Sequence, residues 1–167
     1  MEEGRPVFWR IVKTAIFTLV MPGMVGVYLP EALKNAAAKV PPVFEYGGAA
    51  LFVCGAAIYF WSAWDFVSKG LGTPAPIDAP RMLVVKGLYR FTRNPMYVGV
   101  LGVIIGQALY YGSRGLVIYA GVVFVGFYLF VLSYEEPALR RLFGAQYEEY
   151  CRRVPRWILP LPRSVAK

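Results

Sequence analysis

Four long apolar segments, separated by clusters of charged residues, constrain the fold of this chain more than any other feature. They run from about residue 7 to 29, 43 to 64, 95 to 111 and 116 to 134. A helix that crosses a bilayer needs about 20 apolar residues, and the second and fourth segments reach this length easily. Only 17% of the 167 residues are charged, against about a quarter in a typical soluble domain. The pattern predicts one all-α domain, 1–167, a membrane helix bundle with about four transmembrane helices.

The basic residues indicate how these helices are oriented. They are concentrated in the N-terminal flank, in a loop predicted at 65–94 and in the C-terminal tail, whereas the opposite side carries Lys34, Lys39 and Arg114. Cytoplasmic loops of membrane proteins carry an excess of Lys and Arg. We therefore expect a protein of the cell membrane with both termini and the 65–94 loop in the cytoplasm. This asymmetry accounts for the net charge of +8, and we expect no nucleic-acid partner because no such motif is visible.

The composition also excludes several kinds of site. Histidine is absent, which removes the Ser-His-Asp arrangement and the commonest metal ligand. The two cysteines lie in different environments, Cys54 in an apolar segment and Cys151 in the basic tail. Such a pair suits packing better than a disulfide framework or a metal cluster. We therefore expect no metal site.

An amphipathic helix is predicted at 137–154, after the fourth apolar segment. Pro137 suits the first turn of a new helix, and Pro155 would end it. Its apolar residues recur at steps of three and four: Leu139, Leu142, Phe143, Tyr147, Tyr150 and Val154. The helix could lie on the bilayer surface or cover the 65–94 loop, and these two interpretations are compatible.

Two small residues in the third apolar segment indicate close helix packing. Gly102 and Gly106 have the GxxxG spacing, which lets two helix backbones approach each other in a membrane. Packing within the bundle is the more common use of such a pair, so we expect that rather than a dimer interface. The oligomeric state stays open.

Polar residues are concentrated where the predicted loop runs into the third apolar segment. Asn94-Pro95 is typical of a helix start, with Asn94 at the N-cap and Pro95 in the first turn. The positive end of the helix dipole would then favour a carboxylate or phosphate nearby. The alternative is a capped helix with interfacial Arg and Tyr anchors. The residues in question are Tyr89, Arg90, Arg93, Asn94 and Tyr97.

Two adjacent acids, Glu135 and Glu136, follow the fourth apolar segment directly. Carboxylates at the edge of a membrane span are costly and indicate a functional site by default. The alternative is a salt bridge to Arg90 or Arg93 of the loop. Asp65, at the end of the second segment, could join either arrangement.

These residues carry a family resemblance. Residues 87–99, GLYRFTRNPMYVG, resemble the R-H/N-P-x-Y-x-G signature of the isoprenylcysteine carboxyl methyltransferase and phospholipid methyltransferase superfamily. Residues 80–84, PRMLV, and residues 135–156, EEPALRRLFGAQYEEYCRRVPR, are similar to the same family. The resemblance covers roughly residues 70–157, in the right order.

The resemblance implies an integral membrane methyltransferase that uses S-adenosylmethionine, releases S-adenosylhomocysteine and acts on a hydrophobic or lipidic acceptor. It implies a supporting role for Arg93. If the acceptor is an amine, a proton must be removed, and Glu136 or Tyr97 would accept it. The residues implied to bind the cofactor are Met82, Leu83, Val84, Tyr89, Asn94, Pro95, Met96, Tyr97 and Glu135.

The chain departs from the family pattern at two positions. The frequent histidine of the signature is Asn94, and the arginine that isoprenylcysteine enzymes carry one turn before the acidic pair is Val131. The second departure argues against carboxyl methylation of a prenylated cysteine, and the acceptor group stays open between carboxylate, amine and thiol. Two alternative functions are a nicotinamide-dependent membrane reductase, similar to sterol reductases, and a non-catalytic membrane subunit.

Overall fold

A computed structural model describes residues 7–34, 40–68 and 82–157. Within these ranges the chain forms helices and loops and no strand, which confirms the all-α prediction. The helices are α1 (Val7–Gly23), α2 (Leu29–Leu33), α3 (Pro42–Ser68), α4 (Pro95–Tyr110), α5 (Arg114–Phe130), α6 (Glu136–Phe143) and α7 (Ala145–Arg153). π-helical turns at Met24–Tyr28 and Val131–Glu135 join α1 to α2 and α5 to α6, and Gly87–Arg90 form a 3₁₀ turn.

Two helical runs are long and apolar enough to cross a membrane, Pro42–Asp65 and Arg114–Phe143. Only 17% of the most apolar stretch of each is buried inside the protein, so most of these side chains face outward. A core helix of a soluble protein would be mostly buried, whereas outward apolar faces are expected of helices in lipid. Thr18–Leu33 and Pro95–Tyr110 are apolar but shorter. The count of four spans therefore stays a prediction.

Glycines bring the backbones of α3 and α4 into direct contact. A Cβ atom added to Gly99 would lie 2.8 Å from the carbonyl oxygen of Gly55, and one added to Gly106 would lie 2.7 Å from that of Gly48. A Cβ added to Gly102 would lie 3.1 Å from Gly55 Cα. Only glycine permits this approach, which maximises van der Waals contact in lipid. The expected use of the GxxxG pair within the bundle is confirmed.

The π-helical turn between α1 and α2 is fixed by polar side chains from other helices. Gln107 Nε2 donates to the carbonyl oxygen of Gly26 at 2.6 Å, and the Tyr119 hydroxyl donates to that of Val25 at 2.9 Å. A π-helical turn disturbs the regular hydrogen-bond ladder of the helix. Backbone groups freed in an apolar environment must find partners inside the protein, and these two side chains provide them.

The predicted amphipathic helix at 137–154 is interrupted. Gly144 has φ +49°, a left-handed conformation that ends α6 and lets α7 start in a new direction. Tyr147, Tyr150 and Val154 of the second part pack against Leu83 of the loop. The segment therefore covers the loop, one of the two roles considered for it.

The boundaries of other elements shift as well. Helix α3 continues to Ser68, so the predicted loop at 65–94 begins later than expected. Ser113 caps α5 through its hydroxyl, which accepts a hydrogen bond from the amide of Leu116 at 3.3 Å, and α5 starts two residues before the predicted 116. The 3₁₀ turn lies inside the loop, shortly before α4 begins at Pro95.

Candidate functional site

The adjacent acids Glu135 and Glu136 point to different surroundings. Glu135 Oε2 accepts a hydrogen bond of 2.9 Å from the Tyr97 hydroxyl of α4. Glu136 instead points into a cluster of arginines and is 2% exposed. Consecutive residues of a regular helix already diverge by about 100°, and the π-helical turn that ends at Glu135 shifts the register of the following helix. One carboxylate thus faces Tyr97 of α4, and the other anchors the end of the helix.

Three guanidinium groups surround Glu136. Arg156 binds it in a bidentate manner, with Nε 2.6 Å from Oε1 and Nη2 2.9 Å from Oε2. Arg93 Nη1 lies 3.2 Å from Oε1, and Arg140 Nη1 lies 3.9 Å from Oε2. The hydrogen bond to Glu136 raises the pKa of Arg156. A buried carboxylate is stable when it is paired and hydrogen-bonded in this way, so Glu136 holds α6, the loop and the C-terminal segment together.

Backbone hydrogen bonds fix the C-terminal segment on the start of α4. The amide of Arg93 donates to Pro155 O at 3.0 Å, and Arg156 O accepts from Thr92 Oγ1 and from Asn94 Nδ2, each at 3.0 Å. Pro95 occupies the first turn as predicted, and Asn94 occupies the N-cap position. The Asn94 side chain, however, makes no capping bond, because it donates to Arg156 O instead.

An aromatic cluster lies beside the hydrogen-bonded pair of Glu135 and Tyr97. The Tyr97 ring lies 4.6 Å from that of Phe127 and 6.3 Å from that of Trp157. Trp157 also contacts Phe124 edge-on at 5.4 Å and stacks on Tyr128 at 6.4 Å. We call these five residues the aromatic cluster. Its rings offer flat apolar faces and the negative electrostatic surface that attracts cations.

Comparison with known proteins identifies the family. A family model described as phospholipid methyltransferase matches residues 44–146, which span α3 to α7. The chain belongs to this family. It is also 37% identical, over 73 residues, to protein-S-isoprenylcysteine O-methyltransferase B of Arabidopsis thaliana. That match covers 44% of this chain and spans 37% of the length of the plant protein. The superfamily predicted from the signature is therefore confirmed.

The predicted site residues of this phospholipid methyltransferase family member separate into two groups. The structure brings one group together around the two acids: Arg93, Asn94, Pro95, Tyr97, Glu135 and Glu136. Tyr89 is buried in the 3₁₀ turn before α4, and burial, followed by the Glu135 carboxylate, raises its pKa. Its carbonyl oxygen accepts a 2.7 Å hydrogen bond from the Tyr150 hydroxyl of α7, and burial raises the pKa of Tyr150, which keeps that donor protonated.

The other predicted residues have different surroundings. Met82 is 65% exposed, and Leu83 packs against Tyr147 and Tyr150 of α7. Val84 is buried against Tyr89. Met96 packs on the hydrophobic core formed by α3, α4 and α5. The side chains of Leu83, Val84 and Met96 thus pack against apolar residues and support the site through these contacts.

Several residues of the site escaped the sequence reasoning. Arg156 and Trp157 follow the last helix, and no pattern in the sequence before Pro155 predicts that they fold back onto α4. Gly87 is another residue that the sequence did not single out. Its φ is +64°, and the Asp65 carboxylate lies where a Cβ atom would be, so there is no room for a side chain. The signal available for all three was their place inside or beside the family motifs, GLYRF and VPRW.

Proposed function

We propose that this protein transfers a methyl group from S-adenosylmethionine to a hydrophobic or lipidic acceptor at one face of the membrane. The observation that carries the proposal is the pairing of Glu135 with Tyr97 beside the aromatic cluster, in a chain of the phospholipid methyltransferase family. When bound, the cofactor supplies an electrophilic methyl group on a positively charged sulfur. The acceptor and the cytoplasmic orientation of this face are part of the same proposal.

The chemistry of the donor set fits this cofactor. S-adenosylmethionine carries a sulfonium and an ammonium group, a carboxylate and a flat purine. The chain offers a partly buried carboxylate, Glu135, for positive charge and aromatic faces for the purine or the sulfonium. Three guanidinium groups surround Glu136, and one of them, Arg140, also binds Glu148. Arginines thus exceed carboxylates by one in this cluster, which favours an anionic group such as a carboxylate.

The residues of the chain act mainly by positioning. Methyl transfer from a sulfonium is an in-line displacement, for which alignment of the reacting groups provides most of the rate. The Tyr97 hydroxyl orients the Glu135 carboxylate, and Glu136 fixes Arg93 and Arg156, which hold the start of α4 in place. If the acceptor is an amine, Glu136 is poorly suited to take its proton because its carboxylate is bound by arginines. Tyr97 would take it only by passing its own hydroxyl proton to Glu135 Oε2, so that Glu135 ends up protonated.

The acceptor is proposed to be hydrophobic because of the apolar side chains around the aromatic cluster. Phe124 and Tyr128 of the aromatic cluster are partly exposed on the apolar face of α5, where a lipid chain would lie. Val131, which replaces the arginine of isoprenylcysteine enzymes, is 1% exposed. It provides no charge for a prenylcysteine carboxylate. The membership of the family does not favour the nicotinamide-dependent reductase considered as an alternative.

The proposal is tested by isothermal titration calorimetry of the detergent-purified protein with S-adenosylhomocysteine. We expect micromolar binding to the wild type and a 10- to 100-fold weaker Kd, roughly the value of a charge-assisted hydrogen bond, for Glu135→Gln. The matched control is Glu45→Gln, the same change at an exposed acid in the first turn of α3.

The melting temperature of each variant separates binding from folding. Glu135→Gln should keep the melting temperature of the wild type, since its carboxylate has no guanidinium partner among the described residues. The proposal would be overturned if the folded wild type did not bind S-adenosylhomocysteine. Binding of a nicotinamide nucleotide in its place would favour the reductase.

A further inference from the structure

Trp157 is held in the aromatic cluster by the residues before it. The carbonyl oxygens of Pro155 and Arg156 accept hydrogen bonds from the loop before α4, and the Arg156 guanidinium binds Glu136. These contacts leave the indole little freedom. Its ring lies between the outer part of the aromatic cluster, Phe124 and Tyr128, and Tyr97 on the inner side.

The indole N–H of Trp157 has no hydrogen-bond partner among the described residues, although the nitrogen is buried. Buried tryptophans usually place this group against an acceptor. A donor left unpaired inside a protein is rare and calls for an explanation, such as a catalytic role or a bound water or ion. The inner neighbour Tyr97 donates its hydroxyl to the Glu135 carboxylate.

We propose that Trp157 is a cofactor-binding residue whose indole N–H donates a hydrogen bond to an acceptor atom of S-adenosylmethionine. The inference rests on the proposed function and extends it to a residue outside the helices. The cofactor offers a carboxylate, ribose oxygens and purine nitrogens as acceptors. A methyl acceptor with a carbonyl group has the same chemistry, so the test is made with the cofactor product alone.

The variant Trp157→Phe keeps one aromatic ring in the cluster and removes the donor together with part of the indole. We expect its Kd for S-adenosylhomocysteine to rise about 3- to 10-fold, the usual range for one neutral hydrogen bond. The matched control is Trp61→Phe, because Trp61 is 62% exposed on α3 and is not part of the aromatic cluster. Its Kd should equal that of the wild type.

A second readout reports the hydrogen bond itself. In ¹⁵N–¹H spectra, the indole resonance that disappears in Trp157→Phe should move downfield when S-adenosylhomocysteine is added to the wild type. The resonance assigned with Trp61→Phe should stay in place. A role in folding alone would lower the melting temperature and leave the wild-type resonance unmoved by the ligand.

The outcomes separate the two proposals. Wild-type binding with an unchanged Kd in Trp157→Phe and an unmoved resonance would overturn the inference and leave the proposed function standing. Absence of binding to the folded wild type would overturn the proposed function. If Trp157→Phe does not fold, the resonance can be assigned by elimination with phenylalanine variants of the three other tryptophans, Trp9, Trp61 and Trp64, and its response still decides.

Discussion

Helices α3 and α4 contact each other through glycines, whereas α6 and the segment after α7 are joined by a buried carboxylate and three guanidinium groups. In the first region, which we call the glycine seam, backbone atoms touch backbone atoms and no charge is present. In the second, the arginine cluster, Glu136 is 2% exposed and is bound by Arg93, Arg140 and Arg156. Both regions fix elements that carry the candidate site.

The two regions should be destabilised by different kinds of substitution. The glycine seam depends on volume, since its stabilisation comes from close van der Waals contact between helices. The arginine cluster depends on charge, because its members are stable in a buried position only when paired. A change of charge without volume should therefore damage the cluster, and a change of volume without charge should damage the seam.

The largest effect is expected from Glu136→Gln, which alters charge and leaves the size of the side chain nearly unchanged. Removing one partner from a buried ion pair costs about 3–5 kcal/mol. We expect the lower end, about 3 kcal/mol, because Arg140 and Arg156 remain partly exposed. For a chain of this length, that lowers the melting temperature by roughly 6–12 °C, which thermal unfolding in detergent would measure.

The same substitution at Glu149 is the matched control. Glu149 pairs with Arg152 and Arg153 on the exposed side of α7, where both arginines are largely in solvent. Exposed ion pairs contribute little, typically less than about 1 kcal/mol. Equal losses of melting temperature for Glu136→Gln and Glu149→Gln would mean that burial of the cluster does not matter and would remove one side of the comparison.

The contrast also shows which parts of the fold the sequence reveals. The helices follow from long apolar runs, and the start of α4 follows from Asn94-Pro95, because these signals are local. The seam was accessible through the spacing of Gly102 and Gly106. Only its partners, Gly48 and Gly55 of α3, needed the structure.

The site was harder to predict because its contacts are not local. A salt bridge from the acids to the loop was considered, and Arg93 does bind Glu136, but the bidentate partner Arg156 lies 20 residues further along the chain. Glu135 and Glu136 make different contacts because of a π-helical turn, which no residue pattern predicts. The break at Gly144 depends on a left-handed φ that a glycine permits but does not require.

An intermediate effect is expected from Gly99→Ala, which adds one methyl group to the seam and no charge. The new Cβ would lie 2.8 Å from the backbone of α3, so the helices must separate. Overpacking of this kind costs about 1–3 kcal/mol. The control is Gly121→Ala in α5, where an added Cβ meets nothing within 4 Å and the better helix propensity of alanine contributes up to about 1 kcal/mol.

Thermal unfolding of the two alanine variants should therefore move in opposite directions. A stabilised Gly99→Ala would show that α3 and α4 can separate without loss. The seam would then be a consequence of small residues in both helices rather than a requirement of the fold.

The smallest effect is expected from Tyr119→Phe, which removes a single oxygen and neither adds volume nor changes charge. The Tyr119 hydroxyl donates to Val25 O at the π-helical turn of the first helical run. Hydrogen bonds between helices in membranes contribute about 0.6 kcal/mol on average and up to about 1.7 kcal/mol. The matched control is Tyr46→Phe, since Tyr46 is exposed near the start of α3. A loss as large as that of Glu136→Gln would show that the π-helical turn, and neither of the two compared regions, is the most sensitive point of the bundle.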